Sequence, residues 1–165
     1  MCLWNKEGVP HKGWKCIDVI DLGEYAEGMS YDARKVLLYE TCEMCNQEGI
    51  RYVHVMEHPE YDGQLRVGCI CAEKMENDYV APRNREKEMR NRQVRKMNFL
   101  KKHWVHRANG NMLLKHKGKY ITIMHSKYNL ACYCLAYDNK FIWEYRGEKI
   151  RDIRTAKLAA FDVFN

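Results

Sequence analysis

Cys42-Glu43-Met44-Cys45 and Cys69-Ile70-Cys71, two close cysteine pairs with 23 residues between them, decide how the first half of the chain is read. Two residues between thiols is the spacing of a metal-binding knuckle, because the turn aims both sulfurs at one ion. The second pair has a single intervening residue. It serves the same purpose if Cys69 ends a strand and Cys71 opens a helix, where the helix N-terminus favours thiolate over thiol. Four thiolates, Cys42, Cys45, Cys69 and Cys71, make the closed tetrahedral set that zinc prefers. Disulfides within each pair would close loops too short to stabilise much.

The segment between the pairs reads as a hairpin. Ile50 to His58 is rich in β-branched and aromatic residues. Pro59-Glu60-Tyr61-Asp62-Gly63 carries two turn signals, and Gln64 to Gly68 returns as a second strand. Ala72 to Tyr79 then has the apolar spacing of a helix, through Ala72, Met75 and Tyr79. Knuckle, hairpin and second ligand pair at a helix start resemble a treble-clef zinc finger over residues 40–80. That resemblance implies a metal-held platform of the kind used for nucleic-acid or protein binding, and it fixes no single activity.

Charge and composition constrain the rest. The chain has 165 residues, 46% of them apolar, a net charge of +6 and eight cysteines. No apolar run is long enough to span a membrane. Met1-Cys2-Leu3-Trp4 leads into Asn5-Lys6-Glu7 and not into a signal-peptide core, so a cytoplasmic, reducing location is expected. Cys2, His11 and Cys16 match no ligand spacing, and the N-terminal residues are expected to cap the zinc unit. Ala33 to Tyr39 fits either a strand or a short helix.

From Pro82 to Arg107 no glycine or further proline interrupts a helical pattern, and a basic helix is expected over residues 81–108. Ten Lys and Arg stand against two Glu in residues 82–107. At 100° per residue, Met89, Val94, Met97, Leu100, Trp104 and Val105 fall in one arc, the expected buried face. The opposite side carries Arg92, Arg95, Lys96, Phe99, Lys102 and His106, a stripe suited to nucleic-acid phosphates, with Phe99 placed to stack on a base.

Residues 109–165 alternate as strands and end in a helix over Thr155 to Phe164. This sheet-plus-helix order is weakly similar to integrase-type and AP2-type DNA-binding modules, and Arg154-Thr155-Ala156-Lys157 resembles the basic start of the second helix of a double-stranded-RNA-binding domain. The expected architecture is α+β: a zinc-binding unit at 1–80, the basic helix at 81–108, and an antiparallel sheet with helix at 109–165. The expected role is a zinc-stabilised protein that binds DNA or RNA. One alternative is an adaptor that meets an acidic protein partner, or inhibits a nucleic-acid-handling enzyme. A second is a metal-dependent nuclease using His54 or His58, since nucleases of the His-Me finger kind also set a histidine on a hairpin. Without that family's following Asn and second His, both histidines are expected to be structural and a binding protein is favoured over an enzyme.

Overall fold

A computed structural model describes residues 2–24, 26 and 28–165. The described residues form an α+β protein with four α-helices and antiparallel sheets, grouped in two compact units, 1–93 and 94–165.

In the first unit, β1 (Lys15–Asp21), β2 (Tyr52–Glu57) and β3 (Gln64–Val67) form a three-stranded sheet with β2 in the centre. The β1–β2 register shifts between Cys16 and Asp18, and His54 lies opposite Val19 on one side and Val67 on the other. The segment left open between strand and helix is helical: α1 (Tyr31–Leu37) starts at Ser30, whose hydroxyl accepts from the Ala33 N–H at 3.2 Å. The hairpin leads directly into α2 (Cys69–Glu76), which begins three residues earlier than its apolar spacing indicates, with Gly68 as N-cap. Asn77 ends α2 in the left-handed conformation at φ 55°. Asp78 then accepts from the N–H groups of Val80 and Ala81 at 2.8 and 3.0 Å, capping the start of α3 (Ala81–Leu100). The core of this unit joins Trp14, Met44, Met56, Leu65, Val67, Ala72 and Met75. A two-point ion pair of Arg51 with Asp21, at 2.7 and 2.9 Å, ties the end of β1 to the entry of β2.

The boundary between units falls within α3, which the sequence reading set apart as a segment of its own. The second unit is a five-stranded antiparallel meander of β4 (Val105–His106), β5 (Met112–His116), β6 (Lys119–His125), β7 (Tyr133–Tyr137) and β8 (Lys140–Ile142). A short hairpin, β9 (Glu144–Tyr145) with β10 (Glu148–Lys149), leads to α4 (Ile153–Phe164). Asp152 caps α4 by accepting from the Thr155 N–H at 2.7 Å. Period-two alternation turns Met112, Leu114, Ile121, Ile123 and Leu135 to one face, where Ala156, Ala159, Ala160 and Phe161 of α4 pack against them. Three alanines on the contact stripe let helix and sheet approach closely. No helix among the described residues is long and apolar enough to cross a membrane.

Ala160 is fully buried, whereas Ala136 lies on the opposite face of the sheet, paired with Thr122 and Phe141. Ala160→Leu is expected to cost about 1–3 kcal/mol through overpacking. Ala136→Val should stay within about 0.5 kcal/mol. Urea denaturation of the two variants measures both values, and equal effects would show that α4 covers the wrong face in this account.

Candidate functional site

The knuckle is built by backbone geometry. The Asn46 N–H donates to the Cys42 carbonyl and the Cys42 N–H to the Gln47 carbonyl, each at 2.8 Å. Asn46 adopts φ 61°, which asparagine tolerates better than most residues. The N-terminal turn holds the same loop, with the Leu3 N–H at 2.9 Å and the Cys2 thiol at 3.1 Å from the Met44 carbonyl. Cys2, His11 and Cys16 do not converge: His11 meets Trp4 edge-on, and Cys16 lies beside His54.

The sulfurs of Cys42, Cys45 and Cys71 all lie within 4.8 Å of one another, close enough to hold a metal ion. The Cys42 thiol is pushed down by the hydrogen bond from Cys71 and by backbone N–H groups of Gly68, Cys45 and Met44. That same hydrogen bond, together with burial, pushes Cys71 up, although the Trp4 side chain donates to its sulfur. The trio therefore already favours a thiolate at its centre, and thiolate is the form that binds metal.

Cys69 does not join that trio. It groups instead with His54 and Glu86, whose ligand atoms and its own sulfur also lie within 4.8 Å of one another. The reason is helical. Both cysteines belong to the first turn of α2, and residues two apart on a helix point about 200° away from each other. A second cysteine facing the knuckle would belong three residues before Cys71, at Gly68, where a Cβ would meet Ile50 Cδ1 at 3.1 Å. The four sulfurs expected together from the spacing do not form one cluster: three converge, and Cys69 groups with His54 and Glu86. The Cys69 thiol is pushed up to about 12, by burial first and then by the carboxylates of Glu86 and Glu73. Both groups open onto one cleft of about 540 Å³, lined among others by Trp4, Cys42, Cys45, Cys69, Cys71 and Glu86.

The two histidines, expected to be structural, have different surroundings. His54 is fully buried, with Nε2 at 3.3 Å from Glu86 Oε1 and Nδ1 at 4.0 Å from Cys16 Sγ. His58 is half-buried against Trp14, and its Nδ1 accepts from the Glu60 N–H at 3.0 Å.

The basic stripe of α3 needs correction at two positions. Lys96 is 1% exposed and Phe99 2% exposed, so neither can reach a phosphate or a base. The helix ends at Leu100, so the 100° count does not extend to residues 104–106, although Trp104 is buried and His106 exposed as expected. Trp104 is buried with Phe99 in the core of the second unit, whereas Val94 and Val105, expected inside, are exposed. Lys96 threads its methylene stem through this core and brings Nζ to 5.9 Å from the Phe161 ring. Arg92 pairs with Glu24 at 3.1 Å. Arg95, Lys102 and His106 are exposed, His106 on β4 and not on the helix. Lys102 Nζ lies 3.2 Å from Nδ1 of His116, whose charged form is disfavoured by burial and by Lys102 and Lys117.

A second surface escaped the sequence reading. On the sheet face away from α4, register aligns Val105, Leu113, Thr122, Ala136 and Phe141 in one row across all five strands. Tyr120 is 55% and Phe141 57% exposed there; Trp143 stacks on Phe141 at 6.1 Å, with Tyr128 beside it. Lys115 Nζ lies 5.5 Å from the Tyr120 ring. The signal lay in the outward phase of the alternation, where Tyr120 and Phe141 stand in place of polar residues. Fifteen Lys and Arg stand against five Asp and Glu in residues 94–165, a net charge of +10, so the first unit is acidic. Comparison with known families, characterised proteins and solved structures finds no match to this chain.

Phe99→Ala is expected to destabilise the second unit by about 3–5 kcal/mol, the usual cost of truncating a core phenylalanine. Lys102→Gln should change stability by no more than about 0.5 kcal/mol. If Phe99→Ala unfolds at the wild-type urea concentration, Phe99 is a surface residue after all.

Proposed function

We propose that the protein binds nucleic acid through its second unit, while a zinc ion on Cys42, Cys45 and Cys71 holds the first in a treble-clef-like arrangement. The observation that carries this reading is an aromatic sheet face, Tyr120, Phe141 and Trp143, exposed on a unit of net charge +10. Exposed aromatic rings cost solvation and invite a stacking partner, and every base offers one. Lys115 next to Tyr120, with Lys102 and Arg95 among the exposed cations, supplies phosphate attraction. Stacking favours single-stranded over duplex substrates, because unpaired bases can lie flat on the rings.

Zinc is the reading that suits three clustered sulfurs, since it prefers thiolates in a tetrahedral array. An ion with Zn–S bonds of about 2.3 Å would draw them to about 3.8 Å apart. The adaptor alternative needs only the charge and leaves the exposed aromatic rings without a role. The nuclease alternative has less support, because His54 has no exposed surface and His58 is packed on Trp14.

Binding to labelled single-stranded and duplex DNA and RNA, followed by fluorescence anisotropy, tests the main reading. Tyr120→Ala and Phe141→Ala are each expected to weaken single-strand binding about 5- to 150-fold, the equivalent of about 1–3 kcal/mol per stacked base. Lys115→Gln should make the dependence of log affinity on log salt shallower by about 0.7. Wild-type protein that binds none of these at low salt would end the nucleic-acid reading and favour an acidic protein partner. For the ion, Cys71→Ser is expected to lower zinc content by about one per chain and to depress the melting temperature, since structural zinc contributes on the order of 10 kcal/mol to folding small fingers. A Cys71→Ser chain with wild-type zinc and melting would remove zinc from the account.

A further inference from the structure

Three residues outside the thiol trio have chemistry that the nucleic-acid reading leaves unused. His54 comes from β2, Cys69 from the first turn of α2 and Glu86 from the second turn of α3, all within the first unit. We propose that His54, Cys69 and Glu86 form a second metal site, for a divalent transition ion of the zinc class, with one coordination position open to the cleft.

The distances fit such an ion. Bonds of about 2.0–2.1 Å to imidazole nitrogen and 2.0–2.2 Å to carboxylate oxygen give a tetrahedral edge of about 3.3–3.5 Å. His54 Nε2 and Glu86 Oε1 are 3.3 Å apart, which makes a long hydrogen bond but a fitting ligand pair. The Cys69 sulfur lies within 4.8 Å of both partners. The other ring nitrogen of His54 faces Cys16 Sγ at 4.0 Å, a contact that sets the orientation of the imidazole as outer-shell partners of metal ligands do.

Burial argues the same way. A fully buried imidazole is costly unless both nitrogens are well used, and here the two contacts are long and weak. The neighbouring cations are already engaged: Arg83 donates to Glu73 and Arg85 to Glu76. Arg90 reaches Glu86 only at 4.0 Å. A divalent ion would place positive charge directly between the three ligand atoms. One sulfur, one nitrogen and one oxygen exclude magnesium and calcium, which take oxygen ligands, and suit zinc or its first-row neighbours. Cys69 and Glu86 both line the cleft, so the fourth position of an ion between them faces solvent, in the manner of sites that hold an exchangeable water. The thiol trio is a separate ligand set.

The test is metal content of the purified full-length chain by mass spectrometry, together with cobalt(II) titration of metal-stripped protein followed in the visible region. Glu86→Gln and Cys69→Ser, both at half-buried positions, are each expected to remove one and the same ion and its cobalt absorption. Cys2→Ser, whose thiol meets the Met44 carbonyl and belongs to neither ligand set, should leave that ion bound. His54→Gln is the direct variant, but at a fully buried position it is read only if its circular dichroism matches wild type; the other two variants carry the test without it. Metal content and cobalt spectra unchanged in Glu86→Gln would overturn the site. Loss of an ion in Cys69→Ser but not in Glu86→Gln would return Cys69 to the trio and overturn it equally.

Discussion

Successive residues of an α-helix are turned by about 100°, so Cys69 and Cys71 leave the first turn of α2 nearly back to back. Much of the chemistry of the first unit follows from that rotation. Cys71 turns toward the knuckle, where Cys42 and Cys45 wait on a loop fixed by its own backbone hydrogen bonds. Cys69 turns toward the central strand, where His54 is buried, and toward Glu86 on the following helix. A helix that began one turn later would leave both cysteines in extended chain and change which side each faces. The N-cap at Gly68 and the hairpin that delivers it are therefore what sort the ligands.

The second unit depends on a different constraint. A sheet in which alternate residues face opposite ways needs cover on one side only, and α4 provides it with alanines and Phe161. The other side carries aromatic rings in a region of high positive charge. Apolar rings beside lysines serve two demands at once, stacking and phosphate attraction, and this conjunction distinguishes the proposed nucleic-acid surface from an ordinary solvated sheet. The positive charge extends beyond α3: Lys96 sits inside the core, Arg92 is paired, and much of the remainder is distributed over the sheet unit.

Local signals carried much of the element order. Alternation marked β2, β3 and the later strands, Pro59 and Asp62-Gly63 marked the hairpin turn, and Pro82 marked the start of α3. The same signals failed where two segments compete for one surface. Val94 and Val105 read as core by spacing, yet both are exposed, whereas Phe99, placed on the outer stripe, is buried beside Trp104. The burial of Lys96 has no sequence signature, because a lysine stem is apolar only when its surroundings make it so.

The sequence by itself determined the cysteine spacing, the hairpin between the pairs, the α+β order and the excess of positive charge, since each is a matter of neighbouring residues and local periodicity. Only the tertiary structure decided that Cys69 meets His54 and Glu86, and that Phe99 is core while Phe141 is surface. Those outcomes depend on residues far apart in the chain being brought to one place. The direction a side chain takes there is set by where its helix begins and by what packs against it, neither of which is written in the spacing of residues.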